Sequence, residues 1–320
     1  MFKKKTIAVV VPCYNEAKQI SKVIVTMPAF VDNIVVVDDK SRDKTVQIVK
    51  DLKHKKNADK KIILIEHEIN RGVGAAITSG YKWAKNKKID IAAVMAGDGQ
   101  MLSKDLAAIL TPVVQDRADY SKANRLMSGK AFVNIPRVRY YGNSVLTFLT
   151  KITSGYWHVM DSQTGFTAIN RKMLQLIDWD KMYPRYGMPN DILVRLNVYN
   201  ARVVDVPLEP IYNVGEKSGL KIQKVFFSIP LMLLRMFFWR LKEKYIIRDF
   251  HPLVLFYLFG FLLGLISFGL LIRILYLWPI YGFIPSTSFL AWMFSSITSI
   301  QFIMFAMWFD MDYNKDLKGK

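Results

Sequence analysis

A chain of 320 residues is long enough for one core-forming domain and a second module. Its 45 Lys and Arg against 26 Asp and Glu leave a net charge of +19, which calls for an anionic partner, and because the 52% hydrophobic residues gather toward the C-terminus, a membrane surface fits better than nucleic acid. The single cysteine, Cys13, excludes an intramolecular disulfide framework and a cysteine-rich zinc site.

Lys3-Lys4-Lys5 ahead of Ile7 to Val11 imitates a signal peptide. The apolar run is short, however, meets Pro12 and has no small-residue cleavage site, so it reads as a first buried strand. Ile34 to Val37, Ile62 to Ile65 and Ile91 to Met95 are further strand candidates, alternating with helical segments as far as about Pro207. Continuous β-branched runs of this kind predict a mostly parallel sheet covered by helices on both faces. Ligands of such sheets bind beyond the carboxyl ends of the strands, so the residues after each run are the candidate site.

The first strand ends in Pro12-Cys13-Tyr14-Asn15-Glu16 and the second in Asp38-Asp39-Lys40-Ser41-Arg42-Asp43. Paired carboxylates at a strand end suit a base edge and a ribose, and Asp43 suits a helix N-cap. Together these two segments resemble the nucleotide-binding half of family 2 glycosyltransferases, which have a GT-A fold. Glu68-Ile69-Asn70-Arg71-Gly72-Val73-Gly74-Ala75-Ala76 resembles that family's NxGxGxA stretch, whose glycines let a helix start approach the nucleotide. The resemblance thus assigns Pro12, Tyr14, Glu16, Asp38, Asp39, Arg71 and Gly72 to the nucleotide-sugar.

After the fourth strand, Ala96-Gly97-Asp98-Gly99-Gln100 resembles the family's DxDGQ motif, which implies Asp98 and Gln100 as ligands of nucleotide-sugar and of Mg²⁺ or Mn²⁺. Ala96 stands where the family usually has its first Asp, which weakens the expected metal dependence. Asp119 to Arg125 and Pro136 to Asn143 resemble the segments that polyprenyl-phosphate glycosyltransferases use around the donor diphosphate and acceptor phosphate. Arg125 and Arg139 are the best matches, with Asn143 beside them; arginine binds phosphate oxygens in a fork and keeps its charge. Asp161-Ser162-Gln163-Thr164-Gly165-Phe166 resembles the acceptor-side motif, giving catalytic candidates Asp98, Arg125, Arg139 and Asp161. A phosphate acceptor already carries nearly two negative charges, so Asp161 can orient rather than deprotonate. His158 reads as structural, and either Asn190-Asp191 touches the sugar or Asn190 caps the helix running to Tyr199. Relatives carry an Arg before a Gly-x-Ser-Lys exit; here Lys217 or Lys221 takes its place at the acceptor phosphate.

Residues 216–250 mix apolar and basic side chains, as one or two interfacial amphipathic helices broken near Pro230 would. Two charge-free apolar stretches at about 252–272 and 289–309 predict a transmembrane hairpin within 251–312, leaving a tail at 313–320 and a catalytic domain at 1–215. Basic residues flank the hairpin and only Arg273 lies in its connection, so the catalytic domain and both termini are expected on the cytoplasmic face of a cell or ER-type membrane. The whole resembles the polyprenyl-phosphate branch that includes dolichol phosphate mannose synthases. That implies transfer of one sugar, with inversion, from a GDP- or UDP-sugar to dolichyl or undecaprenyl phosphate. The alternatives are a non-catalytic sugar-nucleotide sensor or a processive polysaccharide synthase, whose QxxRW motif and extra spans are not seen.

Overall fold

The computed structural model describes residues 2–54, 61–127, 137–209 and 222–319, with the backbone alone described at 138, 139 and 222–227. Two compact units divide it: Met1–Phe237 with Asp316–Lys320, and Phe238–Lys315.

The first unit is built on β1 (Ile7–Cys13), β2 (Asn33–Asp38), β3 (Lys61–Glu66), β4 (Ile91–Val94), β5 (Tyr120–Asn124), β6 (Thr167–Asn170) and β7 (Val203–Pro207), in the order β3-β2-β1-β4-β6-β5-β7. Every described pairing is parallel except those of β6, which runs antiparallel to β4 and β5. The mostly parallel sheet and the four expected strands are therefore present. Alternate side chains of β1 serve opposite cores. Ala8 and Val10 pack with Ile77, Tyr81 and Ala84 of α3 (Val73–Asn86) and with Ile192, Leu193 and Leu196 of α7 (Met188–Val198). Ile7, Val9 and Val11 pack with Ile20, Val23 and Ile24 of α1 (Ile20–Val25), Val49 of α2 (Thr45–His54) and Leu106, Ile109 and Leu110 of α4 (Leu106–Val114). Burial on both faces is why β1 reads as an unbroken apolar run.

Register decides where the site forms. Val94 lies opposite Thr167, and Thr167 opposite Lys122. The loop after β4, the loop before β6 and the end of β5 thus leave the same edge of the sheet as the ends of β1 and β2. α5 (Arg137–Ser154) and α6 (Arg171–Leu176) complete the helices before β7. At the far end of the chain, Lys318 bridges to Val203 and Gly319 N–H donates to the Val203 carbonyl, so the last residues join β7.

α8 (Ile222–Lys242) departs from the expected break at Pro230, since the helix runs through it. A proline removes one backbone donor and crowds the preceding turn. Ile229, Met232 and Leu233 on either side pack against Leu146 and Leu149 of α5, which holds the helical path. α8 passes into a π-helical turn, Glu243–Arg248. In the second unit α9 (Leu253–Tyr281) and α10 (Ser286–Tyr313) are longer than the expected spans, at 29 and 28 residues. Arg273 consequently lies within α9 rather than in the connection. Mean hydropathy over an 18-residue stretch of each reaches 2.4 and 1.6, which makes both long and apolar enough to cross a bilayer. Most of their apolar side chains face outward, unlike those of a soluble core helix. Small residues join them: Ser299 Oγ donates to the Gly260 carbonyl at 2.7 Å and Ser267 meets Ser296 at 2.6 Å.

Candidate active site

Two neighbouring turns form the base of the site. Cys13 and Asp38 are register partners, so the chain leaves β1 and β2 side by side. Asn15, in the left-handed region at φ 59°, accepts from Arg42 N at 2.7 Å, and its own N–H donates to Ser41 Oγ at 2.9 Å. Glu16 N donates to Thr45 Oγ1 at 2.9 Å, and Ala17 N to Asp43 at 3.1 Å. Asp43 also accepts from Thr45 N at 2.9 Å, one residue ahead of the N-cap position at Lys44, so it braces the start of α2 without being the expected N-cap itself. The Cys13 thiol is buried and driven upward in pKa by burial and by Asp38, so it is an inert core group.

Asp38 accepts from Ser41 N at 2.9 Å. Asp39, buried, accepts from Arg71 N at 2.8 Å, Gly72 N at 2.7 Å and His67 Nδ1 at 2.8 Å, filling three of roughly four acceptor positions. His67 is held in turn by Ser79 Oγ at 2.9 Å. Sequence reasoning passed over His67; its place directly after β3 was the available signal. Asp39 therefore fastens the third loop, with at most one position left for a ligand. The backbone amides of Arg71 and Gly72 are likewise committed.

The glycines of that loop also have close protein neighbours. A methyl group at Gly74 would lie 2.5 Å from the Tyr183 carbonyl, and one at Gly72 (φ +100°) 2.7 Å from the Pro184 carbonyl. Ala75 N donates to the Pro184 carbonyl at 2.8 Å. The close approach they permit is that of residues 183–185.

Beyond β4, Gly97 N donates to the Pro12 carbonyl at 3.1 Å, drawing the 96–100 loop onto the first turn. Gly99 takes φ +77° and the Gln100 backbone N–H donates to Asp98 Oδ1 at 3.0 Å, a tight turn that fixes the Asp98 carboxylate. Glu16 faces this loop. Its carboxyl is pushed up to about 7 by burial and by the charges of Asp98 and Asp43. Hard oxygen groups brought together against their own repulsion suit a divalent cation. Among the described residues no three His, Cys, Asp or Glu form a ready-made metal cluster. A cation here would take its remaining ligands from a diphosphate and water. Tyr14 stands on the rim, 43% exposed.

Across the edge, Arg125 forks onto Asp161, Nε to Oδ2 at 2.7 Å and Nη2 to Oδ1 at 3.1 Å, while Arg125 N adds a bond at 3.1 Å. Burial would raise the Asp161 carboxyl, but Arg125 and Lys122 outweigh it and hold it below the ordinary carboxylate range. Buried Lys122 reaches the Asp161 carbonyl and lies 3.5 Å from Asp205. Next to this pair, Thr147 meets Ser162 at 3.2 Å, and Asn190 accepts from Thr150 at 2.9 Å and Gln163 at 2.7 Å. The Asn190 amide nitrogen is buried and has no partner among the described residues. Asp191 instead bonds Arg195 at 2.9 Å and Tyr183 N at 2.7 Å, a structural role. His158 holds the Val203 carbonyl at 3.0 Å and is structural as read. Asn143 lies on the second turn of α5. The side chain of Arg139 and all of Lys217 lie outside the described residues.

A family model described as Glycosyl transferase family 2 matches residues 8–177. Over 218 residues the chain is 33% identical to a UDP-N-acetylglucosamine–dolichyl-phosphate N-acetylglucosaminyltransferase of Methanococcus voltae, covering 65% of this chain and 86% of that protein. It is 25% identical to a polyprenol monophosphomannose synthase of Mycolicibacterium smegmatis, covering 69% and 84%. Glucosyl-3-phosphoglycerate synthase of Mycobacterium tuberculosis, solved with Mn²⁺, UDP and phosphoglyceric acid, superposes with a TM-score of 0.54 at 15% identity, covering 74% of this chain and 78% of that one. That likeness shows the GT-A type of fold.

Proposed function

The chain belongs to glycosyl transferase family 2, and on that premise we propose that it moves one sugar from a nucleotide-sugar to a polyprenyl phosphate lipid at a membrane surface. The observation that carries this reading is that the Asp39 and Asp98 loops and the Arg125–Asp161 pair leave the same edge of one sheet, in a chain that also has two helices able to cross a bilayer. A soluble anionic donor and a lipid phosphate can meet there.

The turns after β1 and β2, with Tyr14 and what remains of Asp38 and Asp39, bind the nucleoside. Asp98 and Gln100, with Glu16 adjacent, would hold Mg²⁺ or Mn²⁺. The cation, when bound, neutralises charge on the departing diphosphate. Arg125 and Arg139, helped by Asn143 and Lys217, receive the acceptor phosphate, and Asp161, ionised and engaged by Arg125, orients that guanidinium rather than removing a proton. The acceptor oxygen attacks the anomeric carbon, the carbon–diphosphate bond breaks, and configuration inverts. Positioning and charge complementarity supply the rate.

Orientation follows from the basic residues at 217–248 and 315–320 and the scarcity of Lys and Arg between the spans, which put the catalytic unit and both termini on the cytoplasmic side. The return of Gly319 to β7 supports the same arrangement. A thermal-shift screen of the full chain against UDP- and GDP-sugars, with and without Mg²⁺, tests the donor half. One nucleotide class should raise Tm, and Asp98→Asn should abolish the Mg²⁺-dependent part. No response to any nucleotide-sugar would overturn the reading.

A further inference from the structure

The polar side chains in the middle of α10 are of two kinds. On the face toward α9, Ser295 and Ser299 are buried, and the serines here are bonded inside the hairpin: Ser299 Oγ donates to the Gly260 carbonyl at 2.7 Å, Ser296 meets Ser267 at 2.6 Å, and Ser295 Oγ donates to the Trp292 carbonyl at 3.1 Å. Gln301 differs. It lies roughly 200° round the helix from Ser299, at about 100° per residue, and is exposed on the opposite face. Its side-chain amide has no hydrogen bond among the described residues.

Depth makes that exposure costly. Gln301 is near the middle of α10 (Ser286–Tyr313), about 20 Å from either end at about 1.5 Å per residue, so in a bilayer crossed by this helix it sits near the centre of the hydrocarbon core. The side chain is too short to reach the headgroups, and no water is there to bond it. A serine or threonine hydroxyl can turn back to the carbonyl of the preceding turn, whereas a primary amide, with two N–H donors and a carbonyl, needs a group from outside the hairpin.

We infer that Gln301 marks a self-association face of α10, where its amide pairs inside the bilayer with the same amide of a second copy of this chain. Two copies enter the membrane in the same sense, so the twofold axis relating them runs along the membrane normal and brings the two Gln301 side chains to one depth. An amide is donor and acceptor at once and is therefore its own complement. Ile297 and Met304, one turn to either side, and Trp308 beyond them are 52%, 65% and 62% exposed on the same face and supply apolar packing around the pair. The inference concerns assembly and stands whatever sugar or acceptor the chain uses.

Cys13 is the single native cysteine and is buried, so Ile297→Cys, Met304→Cys and, on the outward side of α9, Leu265→Cys each add one accessible thiol to the full-length chain. In phosphatidylcholine–phosphatidylglycerol vesicles, oxidation by copper-phenanthroline should trap disulfide-linked dimers at 297 and 304 several-fold faster than at 265, since only close Cα pairs can be bridged. Cross-linking fastest at 265 would overturn the inference by placing the contact on α9. Sedimentation equilibrium of the cysteine-unaltered chain in density-matched micelles gives the second reading: Gln301→Leu, similar in size and at home in lipid, should raise the dimer dissociation constant about tenfold, whereas Gln301→Asn, which keeps an amide, should stay within about threefold of wild type. A dissociation constant unchanged in Gln301→Leu would overturn the inference. So would a chain that is monomeric in both forms, which would assign the amide to a different membrane protein.

Discussion

Asp161 and Arg125 share a two-pronged bond in which the carboxylate is wholly buried and the guanidinium a quarter exposed. Removing one charge strands the other, so Asp161→Asn should cost roughly 3 kcal/mol at neutral pH. The folded carboxyl titrates below its unfolded value, so this contribution is present above the unfolded pKa and disappears as pH falls through the folded one. Denaturant melts should therefore show the gap between wild type and Asp161→Asn narrowing below about pH 4; a gap independent of pH would refute the ion pair. Gly74→Ala places a methyl 2.5 Å from a backbone carbonyl and 2.8 Å from Met188 Cβ, and should cost about 2 kcal/mol through overpacking, read as a lower Tm. Ala96→Asp, by restoring a carboxylate beside Asp98, should tighten Mg²⁺ binding in calorimetric titration while turnover persists; an unchanged titration would remove position 96 from the cation site. Of the candidate site residues, Tyr14, Asp38, Asp39, Asp98 and Arg125 were legible because they lie at or just beyond the ends of strands, where the ligands of such sheets bind, whereas Asp161 precedes β6 and was found by resemblance alone. The tasks of Asp39 and the glycines were not, because their partners, His67 and Tyr183–Arg185, are assembled by tertiary contact.

At the scale of elements, β1 to β4 were readable because burial on both faces demands continuous apolar sequence. β5, β6 and β7 (Tyr-Ser-Lys-Ala-Asn, Thr-Ala-Ile-Asn, Val-Val-Asp-Val-Pro) are short and carry polar side chains whose buried bonds, Asn124 to Asp205 at 2.8 Å among them, no local pattern announces. Pro230 misled for a similar reason: packing on α5 outweighs a local helix breaker. In the second unit, Arg240, fully buried, bonds Asp310 at 2.9 and 3.0 Å, Tyr245 OH donates to Asp310 at 2.5 Å, and Lys244 donates to Asn314 at 2.7 Å. This cluster ties the end of α8 and the π-helical turn to the end of α10. Arg240→Met alone should cost roughly 3–5 kcal/mol, because Asp310 is left uncompensated, whereas Arg240→Met with Asp310→Leu should recover at least half of that loss. Thermal melts in detergent micelles measure both; additive losses would mean the two residues are not coupled.

At the scale of the whole molecule, a family 2 glycosyltransferase domain is joined in one chain to two helices fit to cross a bilayer, and a net charge of +19 suits an anionic surface. Each feature was visible in composition and hydropathy, since twenty charge-free apolar residues have few uses other than a membrane. The choice of sugar is not written in any such pattern; it resides in a few contacts around the donor. The most direct measurement gives full-length protein in vesicles a radiolabelled nucleotide-sugar, polyprenyl phosphate and Mg²⁺, and follows the organic-phase product by mass spectrometry alongside released nucleoside diphosphate. Lipid phosphate heavier by one sugar, with nucleoside diphosphate formed in equal amount and both lost in Arg125→Ala, is the predicted result. Nucleotide-sugar bound without any glycolipid product, or sugar polymerised into longer chains, would contradict it.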